Sequence, residues 1–348
     1  MQDIFEEYLI EKEPHKKEKG YAWHTAIGLQ AVDGLETSDY LIDTAKKNID
    51  GDITFEEASQ LIHSYYKENV NRIENKRTEE ADKVSVRIAQ ILSENSFVFS
   101  QAQYISIHKR LFDGVYKHAG KIRDYNITKA EWVLDGDTVM YGGALDLRAA
   151  LDYDFSVEKE FSYKGLSVDE TIKHLAVFVS RLWQIHVFGE GNTRTTAVFF
   201  IKYLRTLGFD VTNDIFAENA WYFRNSLVRA NYTNLKKDVH ETTEFLELFL
   251  RNLLLGENNE LKNRYLHIKF VPRCQNGTID GTINVTIDEI TVFKLLRENS
   301  TITQKQIAKK INKSERTVKR IIEELKKRGC IVREGGSRFG SWKILKDI

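Results

Sequence analysis

Proline is almost absent from this sequence, and its scarcity favours long uninterrupted helices. Only Pro14 and Pro272 occur in 348 residues. Because proline removes a backbone donor and clashes with the preceding turn, a chain with so few prolines can keep its helices intact. Apolar residues recur at spacings of three and four in segments such as IKHLAVFVSRLWQIH and AVFFIKYLRTL, which is the period of an amphipathic helix. The sequence therefore predicts a mainly α-helical protein.

Composition places the chain among globular proteins with several domains. Hydrophobic residues make up 42% and charged residues 29% of the sequence, and the length fits two or three domains. No apolar run approaches the ~18 residues that a membrane span needs, and the N-terminus is charged, unlike a signal peptide. We therefore expect a cytoplasmic protein with no membrane partner, in which Cys274 and Cys330 are ordinary thiols.

Charge is distributed unevenly along the chain. Residues 281–348 hold 16 Lys and Arg against 8 Asp and Glu, a net charge of +8, so the first 280 residues carry −8. This asymmetry indicates a C-terminal module with an anionic partner and a separate acidic body. Together with the periodicity it divides the chain into four regions: residues 1–75, with a capping-box spacing at Thr54 and Glu57, 76–255, a linker 256–280, and 281–348.

A polar loop between two predicted helices, residues 185–196, has the sequence IHVFGEGNTRTT. A glycine-containing loop ahead of a helix N-terminus offers free N–H groups and a positive dipole end to a phosphate. Arg194 adds a bidentate phosphate donor, Asn192 can donate to a phosphate oxygen, and Glu190 is a hard oxygen ligand for Mg²⁺. His186 has an unperturbed pKa suited to a general base. The loop is typical of a phosphate-transfer site.

The segment from His186 to Arg194 resembles the signature of the Fic/Doc family adenylyltransferases, H-x-F-x-[DE]-G-N-G-R-x-x-R. Upstream, IHKRLFDGVYKHAGKIRDYNITKAE is similar to the part of Fic proteins that precedes their flap. The resemblance covers roughly residues 100–250. It implies a Fic helical bundle with a β-hairpin flap, in a catalytic domain at residues 76–255.

The resemblance also implies a reaction. His186 would deprotonate a Ser, Thr or Tyr hydroxyl of a protein target, which could be the chain itself, and the hydroxyl would attack the α-phosphate of ATP. Glu190 would hold Mg²⁺ across the α- and β-phosphates, and pyrophosphate would leave. The nucleotide-binding positions expected in the loop are Gly189, Glu190, Gly191, Asn192, Thr193 and Arg194.

Two further segments extend this assignment. Residues 126–141 read as two β-prone runs about Asp135-Gly136-Asp137, and in the family such a hairpin clamps the target as an added strand. The alternative is that the hairpin has only a structural role.

The segment AENAWYFRNSLVRANY resembles the adenine side of the Fic pocket, which suggests nucleotide contacts from Arg224 and Asn225. Ordinary polar residues on a helix surface are the alternative there.

The sequence departs from the family pattern at two positions of the loop. Thr193 replaces a glycine, a tolerable change because threonine is accepted at helix starts. Ala197 replaces a second arginine, which in the family contacts the γ-phosphate and pairs with an inhibitory glutamate. The change at Ala197 leaves the orientation of ATP open.

Residues 1–75 resemble the antitoxin-type segment that carries the family's inhibitory pattern, [ST]-x-x-x-E-[GN]. The matching positions are Asp33 and Gly34, with aspartate in place of glutamate and Leu29 in place of serine or threonine. Because Ala197 is also changed, the expected inhibition is weakened or rewired. A helical extension that ends at a glycine cap is the alternative.

The basic region 281–348 resembles a winged helix-turn-helix domain. Three amphipathic helices are followed by two strands about Gly335-Gly336. The third helix would enter the major groove of DNA, and the wing would lie near phosphates. The candidate DNA-binding residues are Lys313, Ser314, Arg316, Thr317 and Arg320 on the helix, with Arg333 and Arg338 on the wing. A protein-docking module is the alternative.

Three functions follow from these patterns. The first is AMP transfer by an enzyme with regulatory segments at both ends, with ATP, Mg²⁺, a target protein and DNA as expected partners. The second is a DNA-binding regulator whose Fic domain senses nucleotide with little or no transfer. The third is transfer of phosphate or UMP, although Thr193 is not the lysine of the phosphate-transferring Doc branch. A homodimer is left open.

Overall fold

The mainly helical pattern is confirmed in the computed structural model of the chain, which describes residues 14–68, 76–211, 214–270, 287–311, 313–327, 329–334 and 341–345. The chain folds into two units, Met1–Leu266 and His267–Ile348. The first two predicted regions lie in one unit, and the four region boundaries stay predictions. No helix in the described ranges is both long enough and apolar enough to cross a membrane.

The first unit is built from helices joined by short loops. In chain order these are α1 (Pro14–Gly28), α2 (Asp39–Asp50), α3 (Phe55–Glu68), α4 (Lys76–Ser93), α5 (Gln101–Phe112), α6 (Leu147–Glu160), α7 (Val168–Ile185), α8 (Asn192–Thr206), α9 (Ile215–Glu218), α10 (Ala220–Ala230) and α11 (Glu244–Leu255). Short 3₁₀ helices cover Leu29–Asp33, Trp132–Leu134, Leu235–Lys237 and Asn263–Tyr265.

Polar side chains fix where several helices begin. Ser167 and Glu170 form a capping box at the start of α7, and the predicted box at Thr54 and Glu57 is confirmed at the start of α3. These caps satisfy backbone N–H groups that the first helical turn leaves without partners. Helix ends are also marked by glycine. Directly after the C-terminus of α2, Gly51 adopts the left-handed conformation (φ 89°) that stops a helix.

Helix α8 lies at the centre of the first unit. Every residue from Asn192 to Leu204 is buried, and α4, α5, α7 and the 3₁₀ helix Leu29–Asp33 pack around it. An aromatic cluster fills one side of this core and consists of Phe97, Phe99, Tyr104, Phe155, Phe178, Phe199 and Tyr203. The helix that follows the polar loop is therefore held rigidly, and the loop is positioned by the core.

The N-terminal segment packs on the body of the first unit. Helix α1 lies along α4, and the buried carboxylate of Asp82 on α4 accepts hydrogen bonds from the backbone N–H of Ser38 (2.9 Å) and from the hydroxyl of Tyr66 (2.7 Å). At the end of α1, a Cβ on Gly28 would lie 2.4 Å from the backbone of Ala217. Glycine is therefore required for α1 to approach α9 this closely.

Residues 126–141 return on themselves but contain no β-strand, in contrast to the hairpin expected from the sequence. Two backbone hydrogen bonds join Glu131 to the returning arm: its N–H donates to Asp137 (2.9 Å), and its carbonyl accepts from Gly136 (3.0 Å). Between them the tip winds into the 3₁₀ helix Trp132–Leu134. The physical reason for the missing strands is this turn, because the N–H groups of Leu134, Asp135 and Gly136 donate within the tip and cannot extend a cross-strand ladder. The buried carboxylate of Glu131, bound by Arg224 and Tyr141, anchors the segment. We call residues 126–141 the flap loop.

The second unit has the winged-helix order of elements predicted from the sequence. It contains α12 (Ile287–Glu298), α13 (Gln304–Lys310), α14 (Glu315–Lys327), β1 (Ile331–Glu334) and β2 (Ser341–Ile344). The strands are antiparallel, with Ile331 opposite Ile344. The hydrophobic core of the second unit includes Val292, Leu296, Ile307, Val318, Ile322 and Trp342.

The predicted fold class is confirmed. The predicted turn at Gly335-Gly336, with Arg338 and Cys274, lies outside the described residues.

Candidate active site

His186 stands at the end of α7 in a strained backbone conformation. It is a non-glycine residue with φ 52° and ψ 54°, and only 3% of its surface is exposed. Its ring Nδ1 lies 3.2 Å from the carbonyl oxygen of Trp183. Because a carbonyl can only accept, Nδ1 carries the proton, and Nε2 is left as the unprotonated nitrogen. This is the tautomer that a general base needs.

The surroundings of His186 keep the imidazole neutral. Burial lowers its pKa well below the usual value, and the positive charge of Lys129 lowers it further, with smaller effects of Arg224 and Arg123. The hydrogen bond to Trp183 acts in the opposite direction. Near pH 7 the imidazole is therefore already in the neutral form that accepts a proton. The lowered pKa also makes it a weaker base.

Arg123 connects the His186 turn to both ends of the flap loop. Its Nε donates to the carbonyl of His186 (2.7 Å), and its own backbone N–H donates to Val187 (2.9 Å). The two terminal nitrogens donate to the carbonyls of Tyr125 and Gly142. A single buried guanidinium therefore holds the turn and the loop together. No sequence pattern indicates this role, because backbone carbonyls have no residue-type signature.

His108 on α5 supports the loop from the other side. Its Nδ1 accepts from the backbone N–H of Gly120 (2.8 Å), so its Nε2 carries the proton and donates to the carbonyl of Glu190 (3.0 Å). The ring stacks on Phe188 with centroids 3.7 Å apart. Burial lowers the pKa of His108 to about 4. Sequence analysis missed this residue, which is 82 positions away from Glu190.

The side chains of Asn192 and Thr193 are engaged within the protein. The Asn192 amide accepts from the N–H of Phe188 (3.0 Å) and donates to its carbonyl (2.7 Å), which closes the loop into a ring. The Thr193 hydroxyl accepts from the indole N–H of Trp183 (3.0 Å). These contacts show how both residues shape the loop. Their predicted contacts with a nucleotide stay predictions.

The two glycines of the loop lie against other side chains. A Cβ on Gly191, whose φ is 75°, would lie 2.4 Å from the ring of Phe112. A Cβ on Gly189 would lie 2.5 Å from the hydroxyl of Tyr125 and 3.3 Å from Nε2 of His118. Glycine is therefore required at Gly191, where φ is positive and a buried ring lies in the way, whereas at Gly189 the half-exposed Tyr125 side chain can move aside. The predicted nucleotide contacts of these glycines stay predictions.

Glu190 is the exposed acid of the loop, and its side chain is 56% accessible. Its Oε2 lies 3.1 Å from the ammonium of Lys129 on the flap loop. The described residues contain no group of three or more His, Cys, Asp or Glu that could bind a metal by themselves. An exposed single carboxylate two residues before a helix N-terminus nevertheless fits Mg²⁺, which is commonly held by one or two carboxylates and substrate phosphates.

Arg194 is completely buried and surrounded by acids. Its Nε lies 2.8 Å from Asp33, and its Nη2 lies 2.6 Å from Glu80 on α4. Its Nη1 donates to the side chain of Gln30 (2.9 Å), and its Nη2 also donates to the hydroxyl of Tyr116 (3.1 Å). Nη1 and Nη2 therefore have hydrogen-bond partners, whereas Nε and Oδ2 of Asp33 form an ion pair without the alignment of a hydrogen bond.

The structure thus brings Asp33 to the first arginine of the loop, a pairing that the sequence did not predict. Asp33 ends the 3₁₀ helix Leu29–Asp33, and Gly34 follows in the left-handed conformation with φ 63°. Ala197, where a second arginine would stand, is fully buried in α8. Glu80 is a further acid at Arg194 that sequence analysis missed.

Arg224 and Asn225 do not lie side by side on a helix surface. The Arg224 guanidinium binds both oxygens of Glu131 at 2.7 and 3.0 Å and stacks on Trp221. Asn225 is fully buried and donates to the side chain of Asn263 (2.7 Å). Arg224 therefore holds the flap loop on α10, while Asn225 belongs to the core. Nucleotide contacts from either residue stay predictions.

In the second unit, the start of α14 presents polar and basic side chains. Ser314 caps the helix by accepting from the N–H of Thr317 (3.2 Å). The remaining predicted residues of this helix, Lys313, Arg316 and Arg320, are exposed. On β1, Arg333 stacks over Trp342 with its guanidinium carbon 5.0 Å from the ring centre. Arg338 lies outside the described residues.

Comparison with known protein families agrees with this geometry. Residues 98–204 match the model of the Fic/DOC family. The chain contains a Fic/DOC domain. Residues 290–332 match winged helix-turn-helix DNA-binding domains, so the second unit contains a winged helix. No curated protein matches the chain.

Solved structures of Fic proteins resemble the chain at low sequence identity. The N-terminal Fic domain of Bep8, a VirB-translocated effector from Bartonella sp. 1-1C, is 18% identical, with 54% of this chain and 88% of that chain covered and a TM-score of 0.42. The corresponding effector domain from Bartonella sp. AR 15-3 is also 18% identical, with coverages of 51% and 82% and a TM-score of 0.38. A Fic family protein from Desulfovibrio desulfuricans G20 is 12% identical, with coverages of 98% and 92% and a TM-score of 0.47.

The buried position of His108 makes a prediction about acid stability. Its pKa is about 4 in the folded chain and about 6.5 in the unfolded chain, so between these values the unfolded state binds more protons. The unfolding free energy contributed by His108 therefore falls as the pH falls through this window. We expect the stability advantage of the wild type over His108→Gln to shrink by about 2 kcal/mol between pH 7 and pH 5.

Urea unfolding followed by tryptophan fluorescence measures this difference, because four of the five tryptophans lie in the first unit. His63→Gln, at an exposed position on α3, controls for the loss of an imidazole. A constant difference between wild type and His108→Gln across this pH range would contradict the prediction.

Proposed function

We propose that the chain is a protein adenylyltransferase that moves AMP from ATP to a Ser, Thr or Tyr hydroxyl of a protein target. The observation that carries this proposal is the state of His186, a buried neutral imidazole whose Nδ1 is bound to a carbonyl and whose Nε2 is the basic nitrogen. It stands directly before the loop and the N-terminus of α8, where backbone dipoles favour a phosphate. The match of residues 98–204 to the Fic/DOC family supports the same reaction class.

In the proposed reaction, Nε2 of His186 accepts the proton of the target hydroxyl. The hydroxyl oxygen forms a bond to the α-phosphorus, the bond from that phosphorus to the oxygen bridging to the β-phosphate breaks, and pyrophosphate leaves. Glu190 would hold Mg²⁺, which neutralises charge on the phosphates. The ring of His186 keeps its direction because Trp183 binds Nδ1 and Arg123 binds the carbonyl of the residue, so the base needs little reorganisation.

The flap loop is the part of the site that we assign to the target protein. It is anchored at Glu131 by Arg224 and at its ends by Arg123. Between these anchors it exposes Trp132 (50%) and Met140 (84%), apolar side chains of the kind that bind a partner. A target segment lying along this loop would bring its hydroxyl towards His186.

Asp33 is the proposed inhibitory residue. The Asp33 carboxylate lies 2.8 Å from Nε of Arg194 and neutralises a positive charge that a phosphate would otherwise use, and Glu80 accepts a hydrogen bond from Nη2. Asp33 is the more exposed of the two acids, at 33% against 20%, and belongs to a short 3₁₀ helix. We therefore expect Asp33 to be the acid that leaves when nucleotide binds. Inhibition would thus act at Arg194, in place of the arginine missing at Ala197.

A second candidate function is a DNA-binding regulator whose Fic domain senses nucleotide without transferring it. Two observations favour it. Arg194 is bound by acids in the ligand-free structure, and the winged helix exposes basic side chains on α14, among them Arg316, Lys319 and Arg320. Measurements of transfer and of DNA binding distinguish the two functions.

The transfer reaction predicts which part of ATP becomes attached to protein. Purified full-length chain with Mg²⁺ and α-labelled ATP should label itself or proteins of a cell extract, whereas γ-labelled ATP should not. His186→Ala should lower the rate at least ~100-fold, the usual size of a general-base contribution, while His63→Ala should not. Label from γ-labelled ATP alone would indicate phosphate transfer. No label from either nucleotide would contradict the proposal and favour the sensor.

The inhibitory contact predicts a gain of activity. Asp33→Asn keeps the size of the side chain but removes its charge, which frees Nε of Arg194 for phosphate. We expect labelling to rise about fivefold, the equivalent of ~1 kcal/mol for a partly exposed ion pair. Glu36→Gln, which removes an exposed acid three residues later, is the matched control. Equal labelling by wild type and Asp33→Asn would show that Asp33 is not inhibitory.

The winged helix predicts salt-dependent binding to DNA. The full-length chain should shift mixed-sequence duplex DNA in a gel, and Arg316→Ala with Arg320→Ala should weaken binding and flatten its dependence on salt by about one unit of log–log slope per lost phosphate contact. Lys173→Ala, at an exposed site on α7, controls for the loss of a positive charge. Unchanged binding by the double variant would assign this helix a role other than contact with DNA.

A further inference from the structure

Three arginines of the candidate site have partners within the protein. Arg194 lies at ion-pair distance from Asp33 and Glu80. Arg123 donates to backbone carbonyls of the His186 turn and of the residues that flank the flap loop. Arg224 binds both oxygens of Glu131, which is almost fully buried. Arg123 and Arg224 would lose contacts that shape the site if they turned to a phosphate, and Arg194 has only its Nε without a hydrogen-bond partner.

Lys129 differs from these arginines in its partner. Its ammonium lies 3.1 Å from Glu190, and both side chains are partly exposed, at 29% and 56%. The Lys129 backbone is held on the flap loop by a bond from its N–H to the hydroxyl of Thr138 (3.3 Å). The ammonium, by contrast, ends a flexible four-carbon stem and can change partners without movement of the backbone.

The partner of Lys129 is also the carboxylate that fits a divalent cation. An ammonium and Mg²⁺ at the same carboxylate repel each other, so a metal ion on Glu190 displaces Lys129. The displaced ammonium remains on the flap loop, beside the start of α8 and within electrostatic reach of His186. A nucleotide that arrives with the metal brings phosphate oxygens to this place. The released charge then has an anionic partner available.

We propose that Lys129, which pairs with Glu190 in the structure, is a phosphate-binding residue that passes to the polyphosphate of the nucleotide when a divalent cation binds Glu190. This inference rests on the proposed function, because it takes a nucleoside triphosphate with its metal as the ligand. It supplies a mobile positive charge in a site where Ala197 provides none. The flap loop thereby closes over the phosphates through one side chain.

The first test measures metal binding without nucleotide. The affinity of the full-length chain for Mn²⁺, followed by electron paramagnetic resonance, should rise about fivefold in Lys129→Met, because a competing ion pair of this exposure is lost. Lys129→Arg should stay near the wild type, as should Lys121→Met, an exposed lysine before the flap loop. In a Glu190→Gln background, Lys129→Met should have no effect, which assigns the competition to this pair.

The second test compares ATP with AMP by titration calorimetry in the presence of Mg²⁺. All variants carry His186→Ala, so that no transfer occurs. Lys129→Met should weaken ATP binding about tenfold and AMP binding much less, since AMP lacks the β- and γ-phosphates. Lys129→Arg should recover most of the ATP affinity. A variant that merely disturbed the flap loop would lose both nucleotides equally.

The outcomes separate this inference from the proposed function. Unchanged Mn²⁺ affinity in Lys129→Met, or an equal loss of ATP and AMP, overturns the role of Lys129 while ATP binding and transfer by the otherwise wild-type chain stand. Absence of ATP binding even with Lys129 intact overturns both. A rise in Mn²⁺ affinity together with a selective loss of ATP supports the exchange of partners.

Discussion

The buried guanidinium of Arg194 is the interaction on which the first unit depends. A charge that is 1% exposed needs partners, because burying it alone costs far more than any single contact returns. Its acidic partners come from two separate segments, the 3₁₀ helix Leu29–Asp33 and helix α4. Burial of Arg194 therefore joins the N-terminal segment to the loop that precedes α8. The same contacts engage the arginine that the proposed function assigns to a phosphate.

The contacts of Arg123 with backbone carbonyls are the second constraint on the site, because they hold the turn at His186. The turn at His186 has a positive φ that a non-glycine residue adopts only when its surroundings impose it. The Arg123 bond to the His186 carbonyl and the packing of Tyr141 and Trp183 on the ring supply this constraint. Because Arg123 also binds Tyr125 and Gly142 on either side of the flap loop, one residue sets the geometry of His186 and of the loop that we assign to a target protein.

Local patterns in the sequence were sufficient to predict the helices, the cap at Thr54 and the loop from His186 to Arg194. They could not indicate Arg123, His108 or Glu80, since each makes a contact with a residue between 62 and 114 positions away. The expected flap hairpin failed for a different reason, because the backbone N–H groups at the tip of the segment donate within a 3₁₀ turn and form no ladder. The four region boundaries and the nucleotide contacts stay predictions.

The acids and bases of the candidate site neutralise one another. Asp33 and Glu80 pair with Arg194 near the start of α8, and Lys129 pairs with Glu190 in the loop. In the proposed function the ligand is a metal–nucleotide complex, which carries both signs of charge: its cation would compete with Lys129 and its phosphates with Asp33. The affinity would then be the difference between ligand contacts and the internal pairs that they break. A partner that altered either pair, through the N-terminal segment or through the flap loop, would change nucleotide binding without contact with the nucleotide.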